Sequence, residues 1–125
     1  MAHGAVVPRR LGVGSDAWRA GCVEAVAVRS DLRRQGLGGA VTTALEQRAP
    51  AYGVLALCSS AAGLPFYVSR GWVAWRGPTG VRGPNGDRAT PDDDGSVLVL
   101  AGRRGRGTVD LDSALWCEPR TGDDW

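Results

Sequence analysis

A chain of 125 residues, 43% hydrophobic and 22% charged, is long enough for one domain with a packed core and does not have the composition of a disordered chain. Its formal net charge of +2 is too small to argue for a nucleic-acid partner, and no run approaches the roughly 20 apolar residues of a membrane span. Cys22, Cys58 and Cys117 are odd in number and far apart, and the only histidine, His3, stands beside the N-terminus. Neither a disulfide framework, a zinc site nor a Cys-His nucleophilic pair is suggested. The expectation is free, buried thiols and no metal. "MAHGAVVPRRLGVG" has no apolar core of signal-peptide length, so a cytoplasmic location is expected, with neither nucleic acid nor membrane as partner.

In chain order, "GAVVPRRLGV" and "WRAGCVEAVAVR" flank the turn signal "GVGSDA" and predict a hairpin. Pro8 marks an edge in the first arm and the second arm is central. Leu37, Ala40, Val41, Ala44 and Leu45 recur at helical spacing, which predicts a helix over 37–49 that ends before Pro50. "GVLALCSS" has the length of a buried strand, parallel to the central arm if the helix is the crossover. "AAGLPFYVSRGW" predicts a short helix closed by Gly71, then a strand at Trp72–Trp75. "RGPTGVRGPNGDRATPDDDG" is turn-rich, hence a long loop or a loose hairpin. "SVLVLA" is a strand and "GRRGRG" a solvated turn. The tail "TVDLDSALWCEPRTGDDW" has strand character near Val109–Leu111.

The functional signal lies between the central strand and the first helix, in Arg33-Arg34-Gln35-Gly36-Leu37-Gly38-Gly39. A glycine-rich turn at a helix start lets backbone N–H groups converge where the helix adds partial positive charge, so it can hold a phosphate or pyrophosphate. The stretch lacks the lysine and Ser/Thr of a P-loop and does not have the GxGxxG spacing. By physics alone, a glycine-rich strand-to-helix turn without a ligand remains open beside the phosphate reading.

"AVAVRSDLRRQGLGGA" resembles the coenzyme A motif of the GNAT superfamily of N-acetyltransferases, Arg/Gln-x-x-Gly-x-Gly/Ala after a central strand, with Arg33, Gly36 and Gly38 in its positions. "FYVSRGW" is similar to the superfamily's second element, through Phe66, Tyr67, Gly71 and Trp72. "VEAVAVR", "LCSSAAGLPFYVSRGW", "RGPTGV", "TPDDDGSVLVL" and "GDDW" together resemble the aminoglycoside 2'-N-acetyltransferase branch, across nearly the whole chain.

The resemblance implies a single domain over 1–125 of α+β class. That domain is a GNAT-type three-layer α/β/α arrangement around a mixed, mostly antiparallel sheet splayed at a parallel strand pair. It also implies a strand, two helices and another strand before the hairpin, whereas Met1 falls almost on that hairpin. The expectation is a chain lacking these N-terminal elements, with an upstream start codon as the leading explanation beside a degraded gene and a completing partner chain. The implied co-substrate is acetyl-coenzyme A. Val26, Ala27 and Val28 would lie along its pantetheine arm, and Arg33, Arg34, Gln35, Gly36, Leu37, Gly38 and Gly39 would hold its pyrophosphate. Arg33 and Arg34 would add charge there or stand solvated.

The implied reaction is direct acetyl transfer in a ternary complex to the 2'-amine of an aminoglycoside, with antibiotic resistance as the consequence. In its pattern Glu24 takes the amine proton through water, and Tyr67 is the general acid for the departing thiolate. By alternation Glu24 shares a strand face with Val26. Glu24, Ala25, Cys58, Asp93, Asp123 and Trp125 fall on acceptor-contacting positions, Cys58 where a serine is common. Asp92 and Asp94 read as solvated turn residues. Alternatives are another small amine or polyamine as acceptor, and a coenzyme A-binding remnant without turnover. Members of the superfamily commonly form homodimers.

Overall fold

The computed structural model describes residues 2–14, 16–28, 37–48, 52–101, 110–120 and 124–125. Side chains at 2–3, 25–28, 37–41 and 101 are not among them. The opening hairpin forms as expected, from β1 (Ala2–Val13) and β2 (Asp16–Val28), with Gly14 at φ 59° in its turn. Helix α1 (Leu37–Glu46) leads to β3 (Val54–Cys58), and α2 (Leu64–Ser69) begins with Pro65 in its first turn. Gly71, at φ 93°, closes α2 as its sequence position suggested. Then come β4 (Val73–Ala74), β5 (Thr79–Gly83), β6 (Gly86–Ala89), a 3-10 turn at Pro91–Asp93, β7 (Val97–Ala101) and β8 (Leu115–Cys117).

All eight strands join one sheet in the order β4-β7-β3-β2-β1-β8-β5-β6. β2/β3 and β5/β8 are parallel; the other pairs are antiparallel. The sheet is therefore mixed and mostly antiparallel, and with its two helices the described part is of α+β class, in agreement with expectation. β2 is central, between β1 and β3.

Four expectations are corrected. β1 is not an edge strand, because β8 pairs with its far half, Leu11–Val13. Pro8 sits in the near half, where its missing N–H costs no pairing with β8. Leu111 begins a turn, and the tail strand lies further on at Leu115–Cys117, where Leu115 and Cys117 are buried; Val109 lies outside the described residues. Third, α1 ends at Glu46 and passes into a turn at 47–48 where a helix over 37–49 was expected, whereas the turn-rich segment takes the hairpin form that was one of its two expected outcomes, β5 and β6, with Gly86 at φ 116°. Finally, the buried side of α1 carries Thr42 and Leu45, while Ala44 is exposed. The helix is turned so that Glu46 meets Arg70 and Trp72: its carboxylate accepts from Arg70 Nε at 3.0 Å and from Trp72 Nε1 at 3.1 Å. That clamp ties the end of α1 to the second of the two sequence motifs.

Alternation divides the core into two clusters on opposite faces of the sheet. Ala20, Cys22, Val54, Ala56, Val97 and Val99 face Trp18, Trp75 and Leu115 on one side. Val23, Leu55, Leu57 and Leu98 face Leu45 of α1 and Leu64 and Tyr67 of α2 on the other.

Candidate active site

β2 and β3 are bonded only over Ala20–Cys22 and Val54–Ala56. β2 then runs on to Val28 and β3 to Cys58, so the two strands part and leave backbone N–H and C=O groups facing a gap. At the start of that gap β2 carries a bulge. Ala5 lies opposite Glu24 and His3 opposite Ala27, so Ala25 and Val26 stand against Gly4 alone. The bulge falls between Glu24 and Ala27, and the side chain of Val26, expected on the face of Glu24, lies outside the described residues. Glu24 itself follows Cys22 in alternation and belongs to the face of Trp18 and Trp75.

A cleft of about 460 Å³ opens where the strands part. Glu24, Cys58 and Trp125 line it together with Tyr67, which reaches it from α2. Four residues predicted as catalytic or acceptor-contacting are thus brought to one space. A neighbouring groove of about 650 Å³ shares Cys58 and Trp125 and adds Asp92, Asp93 and Asp124. Asp93 therefore joins the site through this groove, where its Oδ1 is 3.9 Å from Cys58 Sγ. Val26–Val28 form the end of β2 and Leu37–Gly39 the start of α1. Ala25 is placed by its backbone at the bulge. Arg33, Arg34, Gln35, Gly36 and Asp123 lie outside the described residues.

Cys58 is exposed, contrary to the expectation of buried thiols, because it is the last residue of β3 and faces the cleft. Cys22 and Cys117 are buried and free. Burial pushes the Cys22 thiol up to about 11 and raises that of Cys117, so both stay protonated at neutral pH. Burial likewise raises the Tyr67 phenol above its ordinary value, so it stays protonated at neutral pH.

Three features of the site escaped the sequence reading. Arg9 is only 4% exposed, although it is a charged residue in a strand. Its guanidinium donates to the carbonyls of Asp124 at 2.5 Å and Glu118 at 2.7 Å, so it anchors the C-terminal segment beside the sheet. The signal was present in the alternation: Arg9 occupies the position between Val7 and Leu11 that should be apolar. Arg120, carried on the anchored segment, donates to Glu24 Oε1 and forms an ion pair with it. Burial works against the Arg120 cation, but the hydrogen bond and charge of Glu24 more than offset this and raise its pKa. Third, Asp94, expected to be solvated, accepts from the backbone N–H and the hydroxyl of Thr79, each at 2.8 Å.

The same network fixes Trp125, whose indole donates to Thr90 Oγ1 at 3.1 Å, while the Thr90 hydroxyl lies 2.9 Å from that of Thr79. Arg88 holds the side chain of Asp124 at 3.0 Å. Replacing Arg9 by Met should free this segment. Two carbonyls would lose charge-assisted partners, a loss of about 2–3 kcal/mol in unfolding experiments, and the fluorescence of Trp125 should shift towards that of solvated indole. Unchanged stability and emission would contradict the anchoring role.

Among the described residues, no helix is long and apolar enough to cross a membrane. No family model matches the chain. Against curated proteins, the chain is 46% identical over 127 aligned positions to the aminoglycoside 2'-N-acetyltransferase of Mycolicibacterium fortuitum. The alignment covers 100% of this chain and 65% of that relative, so the chain spans just under two-thirds of the relative's length. At that identity along its whole length, the chain is a homologue of an aminoglycoside 2'-N-acetyltransferase.

Proposed function

We propose that this chain transfers acetyl from acetyl-coenzyme A to the 2'-amine of an aminoglycoside, directly and within one ternary complex, and so would confer antibiotic resistance. The observation that carries the reading is the gap between β2 and β3, with Glu24 entering from one face of the sheet and Tyr67 from the other. The homologue's name supports the same chemistry.

The open strand end at Ala25–Val28 fits the pantetheine arm of the co-substrate, which can pair with unbonded backbone like an added strand. The glycine-rich turn and the start of α1 would hold the pyrophosphate through backbone N–H groups. When bound, acetyl-coenzyme A supplies the acetyl group and leaves as a thiolate. Glu24 takes the proton of the acceptor amine, through water, and the Tyr67 phenol gives one to the sulfur. Asp93 and Asp124, with Asp123 and the indole of Trp125, attract and orient the other ammonium groups of the acceptor. The superfamily's third layer, a homodimer and a cytoplasmic setting belong to the same proposal.

Purified protein mixed with acetyl-coenzyme A and tobramycin should release free thiol and yield a product heavier by one acetyl group. No thiol release, either from this chain or from a version extended at the N-terminus to the relative's length, would overturn the reading. Tyr67→Phe tests the acid. It removes the hydroxyl but keeps the ring that packs edge-on against Trp72, with centroids 5.9 Å apart. Turnover should fall about 100-fold with little change in melting temperature. Turnover within threefold of the unmodified protein would remove Tyr67 from the mechanism.

A further inference from the structure

The ion pair between Glu24 and Arg120 is placed where an acceptor amine would have to arrive. Glu24 precedes the bulge of β2 and lines the cleft, and Arg120 lines the same cleft from the segment that follows β8. Arg120 is not a loosely held surface residue. The carbonyls of Glu118 and Asp124, on either side of it in sequence, are both held by buried Arg9, and Glu118 N–H donates to the carbonyl of Arg10 at 3.3 Å. Its side chain is 25% exposed and that of Glu24 33%, so the pair is shielded from solvent more than a surface pair is.

The two neighbouring spaces differ in charge. In the inner cleft the described Arg, Asp and Glu residues are Arg9 and Arg120 against Glu24, whereas the adjoining groove presents Asp92 and Asp93 beside Asp124, whose carboxylate is paired with Arg88. A molecule with several ammonium groups is drawn to the groove and repelled from the cleft unless a cation leaves it. Moving Arg120 off Glu24 while an ammonium moves on keeps the local charge constant, and it brings the amine to the carboxylate that is to take its proton.

Resting on the reading proposed above, we propose that Arg120 is the resident occupant of the cation position at Glu24. A polyammonium acceptor then binds by exchanging one of its ammonium groups for the Arg120 guanidinium. Arg120 thereby sets how strongly an acceptor must be charged to enter the cleft.

Calorimetry with tobramycin on the unmodified protein, Arg120→Gln and Arg120→Lys tests the exchange. Arg120→Gln should bind about three- to tenfold more tightly, because no competing cation has to leave, and Arg120→Lys should stay near the unmodified protein. Equal or weaker binding by a folded Arg120→Gln, or tightening by Arg120→Lys to the same extent, overturns the proposal. A readout on the unmodified protein does not depend on the folding of a variant. The hydrogen-bonded side-chain N–H signal of Arg120, assigned by its loss in Arg120→Lys, should disappear or shift to the position of a solvated guanidinium when tobramycin saturates the site. Its persistence unchanged would also overturn the exchange. Tightening by Arg120→Gln, with no acetyl transfer by the unmodified protein or by its N-terminally extended version, would sustain the exchange and remove the acetyltransferase reading. Transfer without tightening would do the opposite, and absence of tobramycin binding to any version would remove both.

Discussion

Glu24→Gln should lower the rate of acetyl transfer to tobramycin by about 10²–10⁴-fold, the range over which a positioned general base contributes. The substitution removes the carboxylate with little disturbance of the fold, because Gln keeps the size of the side chain and a carbonyl that can still accept from Arg120. The segment after β8 should therefore remain where Arg9 anchors it, and the melting temperature should change little. Thiol release at saturating tobramycin is the measurement, and a variant that keeps more than a tenth of the rate would show that another group takes the proton. The loss of proton transfer should appear in kcat, and the loss of the cation position that Glu24 offers the acceptor should raise KM as well.

Trp75→Ala is the second large effect, and it falls on stability. Trp75 is 1% exposed, its indole N–H donates to the Ser113 carbonyl at 2.7 Å, and its ring meets Trp18 edge-on with centroids 6.3 Å apart. Truncation leaves a large cavity in the cluster that Trp75 shares with Trp18, Ala20 and Cys22 and orphans a carbonyl. A loss of about 3–5 kcal/mol is expected, measured as a lower urea midpoint at unchanged slope. Domains of this size have only about 5–15 kcal/mol in total, so the variant should be partly unfolded at ordinary growth temperatures. A loss below about 1 kcal/mol would mean that the cluster collapses around the missing ring.

Local pattern carried much of this structure. The helix expected over 37–49 and found over 37–46, the buried strand at Val54–Cys58 and the turn at Gly71 follow from period, length and a glycine suited to positive φ, which are properties of short stretches. The parallel β2/β3 pair across the helix was also legible, but more distant pairing was not. Nothing in Leu115–Cys117 says that it enters the sheet between β1 and β5 and so removes the edge that Pro8 suggested. The bulge after Glu24 depends on the register of the partner strand, so alternation read along β2 alone missed it. The site divides in the same way. Glu24, Cys58, Tyr67 and Trp125 were found because motifs mark them, and the fold brings them to one cleft. Arg120 was missed because an arginine in a polar tail is ordinary until its partner 96 residues earlier is known.

The strand order has a consequence for synthesis of the chain. Synthesis runs from N- to C-terminus, yet β8, which follows the other described strands in sequence, bonds to β1, which precedes them, and separates it from the β5/β6 hairpin. Until residues 115–117 are released, β1–β4 with β7 and the hairpin remain two unjoined pieces with open edges, and the cleft lacks Arg120 and Trp125. Folding to the finished sheet is therefore late and dominated by distant contacts, which makes it slow and exposes unpaired strands to other nascent chains.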